Sequence, residues 1–164
     1  MAKPRHSAGP GTPATVALTA AGIAFTAHTY VHDPATTNYG LEAASALELD
    51  PERVFKTLLA DVDGQLTVGI VPVTSMLDLK ALAAAVGSKR AVMADPAVAE
   101  RKTGYVVGGI SPIGQKTALP TVLDETAQLW PTIYVSGGRR GFDLELAPDD
   151  LLAITSGRLA DIAR

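Results

Sequence analysis

The feature that most constrains this chain is a pair of apolar runs, Val54–Val62 and Gln65–Val73, separated only by Asp63-Gly64. β-Branched residues recur in both runs, and an Asp-Gly pair suits the positive-φ turn of a tight hairpin. The chain is therefore expected to be organised on an antiparallel pair of strands. In the first run Val54, Lys56 and Leu58 share one face, and Phe55, Thr57 and Leu59 share the other. Neither face is polar enough to be plainly the wet one. Lys56 stands out for that reason. A lysine between apolar neighbours either snorkels at a sheet edge or points its ammonium into a pocket, at a phosphate or a carbonyl.

Around the hairpin the sequence alternates short helices and further strands. Thr12-Pro13, Asp50-Pro51 and Asp95-Pro96 each place an N-capping side chain before a proline suited to the first helical position. They predict a helix over 13–21 ended by Gly22, a short turn at 51, and a helix from 96 to about Thr103. Further helices are expected at Leu41–Leu47, from Ser75 or Asp78 to Val86, and from Pro148 to about Ile154. Strands are expected at Phe25–Val31, Ala91–Met93, Tyr105–Val107, Pro120–Leu123, Thr132–Val135 and Phe142–Leu146, with one more turn from Leu159. Strands outnumber helices and often follow one another directly, unlike a doubly wound sheet. The expected fold is α+β, with a mixed, barrel-like β-sheet flanked by helices. At 164 residues one domain is expected, over 12–164, after a flexible N-terminal tail at 1–11 rich in Gly and Pro.

Composition removes several chemistries. The chain has no cysteine, which excludes disulfides, thiolate zinc sites and a cysteine nucleophile. No apolar run approaches ~18 residues, and the basic start is not followed by an apolar segment, so neither a membrane span nor a signal peptide is expected and the cytoplasm is the default location. A net charge of -3 offers no global attraction for nucleic acid. Contact with RNA would have to be local, or a partner would supply the basic surface. His28 and His32 would lie roughly 13 Å apart in one extended strand, at ~3.3 Å per residue, too far to share one ion. Neither a metal nor a cofactor is expected.

Two glycine-rich loops remain. Gly108-Gly109-Ile110-Ser111-Pro112-Ile113-Gly114 leaves backbone N–H groups open to a ligand, or is simply a tight connection. It is no phosphate loop, because Gln115 stands where the lysine should be. Nor is it a nucleophile elbow, because Ile113 stands where the second glycine should be. Ser136-Gly137-Gly138-Arg139-Arg140-Gly141 reads as a hairpin tip or as a loop that grips phosphate with its arginines. Asp143 follows at the start of a strand.

The joint order of these segments is informative. Thr12-Pro13-Ala14, His28-Thr29-Tyr30, His32-Asp33-Pro34, Val54-Phe55-Lys56-Thr57-Leu58, Leu77-Asp78-Leu79-Lys80, Met93-Ala94-Asp95-Pro96, Thr103-Gly104-Tyr105, the Gly108–Gln115 loop and Tyr134–Gly141 resemble the YbaK/EbsC family. This is the bacterial Cys-tRNA(Pro) deacylase group, related to the editing domain of prolyl-tRNA synthetase. The resemblance runs from Thr12 to Arg164, and departs only in a longer N-terminal tail.

The resemblance implies a substrate, proline tRNA wrongly loaded with cysteine, held by its acceptor end, and a partner, prolyl-tRNA synthetase. It implies a substrate-assisted route in which the cysteine thiol attacks its own ester and leaves as a thiolactone. In that reading Lys56 holds the terminal adenosine or its phosphate and stabilises developing charge, and Tyr30 shapes the pocket. Gly108 and Gly109 turn backbone N–H groups toward the ester oxygen. Ile110, Ser111 and Pro112 line the same loop, Ser136, Gly137 and Gly138 the other, and Asp143 meets the substrate ammonium or Lys56. Three alternatives stay open: a non-catalytic tRNA- or nucleotide-binding module, a Schiff-base enzyme using Lys56, and an editing deacylase for another amino acid such as alanine. The oligomeric state is not legible.

Overall fold

A computed structural model describes residues 11–164. The expected tail therefore lies outside the described residues, apart from Gly11. The element order is α1 (Pro13–Ala21), β1 (Thr26–Thr29), α2 (Tyr39–Ala46), a 3-10 turn at Pro51–Arg53, β2 (Phe55–Val62), β3 (Gln65–Pro72), α3 (Leu79–Ala85), β4 (Ala91–Met93), α4 (Pro96–Thr103), β5 (Thr121–Asp124), a 3-10 helix at Glu125–Leu129, β6 (Ile133–Arg139), β7 (Phe142–Leu146), α5 (Pro148–Thr155) and β8 (Arg158–Ala160).

The strands form two sheets. The smaller is antiparallel, in the order β1-β7-β6; the larger is mixed, in the order β4-β2-β3-β5-β8. The long hairpin is the centre of the larger sheet, with Lys56 opposite Val71 and Val62 opposite Gln65. The α+β class and the mixed sheet match expectation, but no closed barrel forms among the described residues. Among the described residues, one parallel bridge, Val54–Tyr134, links the sheets.

The larger sheet is buried on both faces, which is why its sequence shows no wet side. Phe55, Leu59, Val68, Ile70 and Leu123 pack toward the small sheet with Leu18 of α1, Phe142 and Leu144 of β7, and Leu151 of α5. Ala60, Val62, Val71 and Val122 pack on the other side with Leu82 and Ala83 of α3 and Ile162. A third cluster seats α2, through Ala43 and Ala44, on Val54, Val73 and Tyr134.

Local chemistry accounts for most boundaries. Thr12 caps α1 through a capping box with Thr15, and Gly22 closes it at φ 70°. Asp78, rather than Ser75, caps α3. Asp95 caps α4, which Gly104 ends at φ 80°.

Two expectations fail. Tyr105–Val107 is not a strand: it joins neither sheet, and the segment turns back where the Gly109 N–H donates to the Val106 carbonyl at 2.8 Å. The segment at Leu159 is a strand rather than a turn, because Arg158–Ala160 pairs in parallel with Val122–Asp124. Buried Asp124 pins the chain just after β8, accepting the N–H groups of Ile162 and Ala163 at 3.0 Å each. Among the described residues, no helix is long and apolar enough to cross a membrane.

Candidate active site

The start of β2, the end of β1, the start of β7 and the N-terminus of α2 converge on a cavity of about 580 Å³. Tyr30, Lys56, Gly108, Ile110, Ser136 and Asp143 all line it. Its walls are completed by Thr37, Asn38 and Tyr39 before and within α2, and by apolar Phe55, Leu59, Ala43 and Ala99. Residues from positions 30 to 143 are thus brought together by sheet register, not by sequence proximity.

Lys56 is half-buried, with no carboxylate within ion-pair distance among the described residues. Burial lowers its pKa below the ordinary lysine value. Asp143 is 6% exposed and makes no side-chain hydrogen bond or ion pair to a described residue. Burial pushes its carboxyl up to about 7. The pairing of Asp143 with Lys56, one of the two roles expected for it, does not form. Neither group has an ion-pair partner among the described residues. Tyr30 is fixed through its backbone, its N–H donating to the Gly141 carbonyl at 3.0 Å. Burial, then the nearby charges of Asp143 and Glu42, hold its phenol protonated well above the ordinary tyrosine value. Ser136, directly across from Asp143 in the β6–β7 register, accepts the Gly138 N–H at 3.2 Å. Beside it all, the Thr57 hydroxyl is buried without a partner among the described residues.

The other expected residues frame the cavity rather than line it. The Gly109 N–H is already used by Val106, so it is not available to an ester oxygen. Gly109 is glycine for another reason: a Cβ there would meet the Arg139 backbone at 2.8 Å. Ser111 is wholly buried, its hydroxyl accepting the Ile113 N–H at 3.2 Å, and Pro112 is buried beside it. Gly137 lies against the Phe142 ring, which a Cβ would strike, and its carbonyl accepts the Thr12 hydroxyl at 2.5 Å. Gly138, at φ +109°, leaves room for Tyr105 and Thr12.

Sequence reasoning missed Tyr39, whose ring closes on Gly108, and the use made of Arg140, which donates to the Val107 carbonyl. Nothing near Tyr39 marks it before the fold is known. His28 bonds Glu145 at 3.0 Å and His32 bonds Glu42 at 2.7 Å. No group of three metal-ligating side chains occurs among the described residues.

A cavity between two sheets, with a lysine from one and an aspartate from the other that have no partner among the described residues, and with two glycine-rich loops beside it, defines a class before it defines a member. The model of the aminoacyl-tRNA editing domain matches residues 33–154, and the chain belongs to that family, in its YbaK/EbsC group. It is 43% identical over 121 residues to EbsC of Enterococcus faecalis, a provisionally named Cys-tRNA(Pro)/Cys-tRNA(Cys) deacylase, covering 73% of each chain. It is 34% identical over 103 residues to the proline–tRNA ligase of Moorella thermoacetica, covering 63% of this chain and 18% of the ligase. Among solved structures, one provisionally described as a trans-editing enzyme for prolyl tRNA synthetase superposes with a TM-score of 0.79 at 27% identity. That match covers 95% of this chain and 99% of the other. The hypothetical protein APE2540 superposes with a TM-score of 0.82 at 24% identity over 93% of this chain and shares the fold.

Proposed function

We propose that this chain, as a single editing domain over residues 12–164, deacylates proline tRNA mischarged with cysteine, in the cytoplasm and beside prolyl-tRNA synthetase. The observation that carries the reading is the pair of unpartnered charges, Lys56 and Asp143, in one cavity with Tyr30 and the Gly108 backbone. The chain has no cysteine, Ser111 is wholly buried outside the cavity lining, and Ser136, which does line it, accepts the Gly138 N–H and has no histidine bonded to it among the described residues. Such a site is suited to positioning and to stabilising charge more than to supplying a nucleophile.

In this reading the substrate supplies the nucleophile. The cysteinyl thiol gives up its proton and its sulfur attacks the ester carbonyl carbon. The C–O bond to the terminal ribose breaks, the ribose oxygen takes a proton, and cysteine leaves as a cyclic thiolactone that water then opens. Lys56 and the Gly108 N–H face the negative charge that develops on the carbonyl oxygen. Asp143 receives the substrate ammonium, whose arrival favours the ionised carboxylate that burial alone disfavours. The Tyr30 hydroxyl, protonated throughout, donates a hydrogen bond to the aminoacyl group. The synthetase supplies most of the tRNA contact, consistent with a chain of net charge -3.

The test is deacylation of Cys-tRNA(Pro), Ala-tRNA(Pro) and Pro-tRNA(Pro) by the purified protein, with and without prolyl-tRNA synthetase. Selective loss of cysteine, with thiolactone trapped as it forms, is the expected result. Loss of alanine instead defeats the thiol-assisted route, and no turnover of any of the three defeats the reading.

A further inference from the structure

The Arg140 side chain is exposed, as a residue gripping phosphate would be, yet its guanidinium is already engaged. Its Nε and one terminal nitrogen both donate to the Val107 carbonyl, at 3.0 and 2.7 Å. That carbonyl belongs to the same peptide unit as the Gly108 N–H. No peptide bond in the described chain is cis, so the N–H and C=O of this unit point in opposite directions. A carbonyl held outward toward an exposed arginine therefore turns the Gly108 N–H inward. Gly108 lines the cavity, and its N–H has no hydrogen-bond partner among the described residues. We propose that Arg140 is a positioning residue for the deacylation reaction, which fixes and polarises the Val107–Gly108 peptide so that the Gly108 N–H serves as the oxyanion donor.

Three contacts hold this arrangement. The Tyr39 ring lies under the Arg140 guanidinium at 5.0 Å and against Gly108, where a Cβ would come within 2.7 Å. Gly108 itself sits at φ +87°, a conformation glycine adopts without strain. Gly109 then packs its backbone directly on Arg139 and Arg140, so the two glycine-rich loops are in contact, and the arginine of one can reach the carbonyl of the other. A charge-assisted bond to a peptide oxygen draws electron density from the amide and strengthens its N–H as a donor. Two donors in a fixed fork also restrict rotation of the peptide plane, which a lysine cannot match.

The proposal rests on the deacylase reading, so the test separates the two. Steady-state deacylation of Cys-tRNA(Pro) is measured for the wild-type protein, Arg140→Ala and Arg140→Lys. With the donor misaligned, kcat is expected to fall about 10- to 100-fold in Arg140→Ala while KM stays within about threefold. Arg140→Lys, with one donor nitrogen in place of two, recovers part of the loss. A raised KM with unchanged kcat, fading at high salt, would mean that Arg140 grips a tRNA phosphate instead, and would overturn the proposal. Unchanged kinetics in both variants would overturn it too.

Because Arg140→Ala also loosens the loops, glycine-selective 15N labelling supplies a second measurement on Arg140→Lys. The Gly108 amide resonance is expected to shift while glycines remote from the site, such as Gly64, stay in place. A Gly108 resonance that does not move would count against the peptide contact. Wild-type protein that deacylates none of the three tRNAs overturns the underlying reading and this proposal with it; active wild type with unaffected Arg140 variants overturns this proposal alone.

Discussion

Two carboxylates on β7, Asp143 and Glu145, are two residues apart and meet opposite fates. Asp143 is buried in the cavity without a partner, and burial raises its pKa to about 7. Burial pushes Glu145 upward too, but bonds from Thr132, His28 and Tyr134 outweigh it and pull the group below the ordinary glutamate value. Glu145 anchors a satisfied network. The Thr132 hydroxyl donates to it at 2.6 Å, and Arg53 donates to Thr132 at 2.6 Å while stacking over Tyr134 at 5.1 Å. The two cations in the same stretch of chain divide the same way: Arg53 is bonded three times to Thr132, whereas Lys56, three residues on, has no partner among the described residues. Buried polar groups that satisfy one another hold a fold together. Buried charges left unsatisfied cost stability, and are retained where a ligand completes them.

The sharpest break of this contrast is Lys56→Met against Arg53→Met. Lys56→Met is expected to lose about 10³-fold in deacylation. Its stability should hold or rise, because a lysine whose folded pKa is lowered weakens the native state below its unfolded pKa and ceases to do so as pH rises. Arg53→Met is expected to lose about 1–3 kcal/mol of stability, having stripped donors from Thr132, with little change in kcat of the folded enzyme. Denaturant melts and single-turnover rates on both variants decide it. If Arg53→Met loses activity without stability, the division fails.

Asp143→Asn ranks next. The native state keeps its proton up to about pH 7, whereas the unfolded chain releases it near 3.8, so wild-type stability should fall as pH rises between those values. The expected drop is on the order of 4 kcal/mol and should be absent in Asp143→Asn, as urea melts at pH 4 and pH 8 would reveal. Deacylation by the variant should fall about 10- to 100-fold, losing the acidic limb of its pH profile.

Glu145→Gln reverses the sign. Its stabilising effect is present above the unfolded pKa and disappears as pH falls through the lower folded value. The variant should therefore be about 1 kcal/mol less stable at pH 7, converge with wild type in acid, and keep its activity within about threefold. Tyr30→Phe is the mildest, with up to about a tenfold loss in kcat and no loss of stability, since its backbone anchor to Gly141 survives.

Much of the fold was legible in the residues. The Asp63-Gly64 hairpin, the three cap-proline helix starts and the glycine stop at 22 depend on contacts a few residues apart, and each is found where its local chemistry placed it. Lys56 could be singled out because a charge interrupts an apolar strand. The β8 strand could not be read, because three residues beginning at Arg158 become a strand only by pairing with Val122. The Gly109 N–H looked open for the same reason: its partner is set by how the loop turns, not by its composition.

The sequence alone determined the hairpin, the cap-proline helix starts and the family resemblance, because short-range sterics and capping are written in neighbouring residues. Only the tertiary structure decided which charges remain unpaired. Asp143 and Glu145 have the same chemistry and alternate with the same apolar neighbours. What separates them is that His28, Thr132 and Tyr134 fold onto one, while the other faces the cavity.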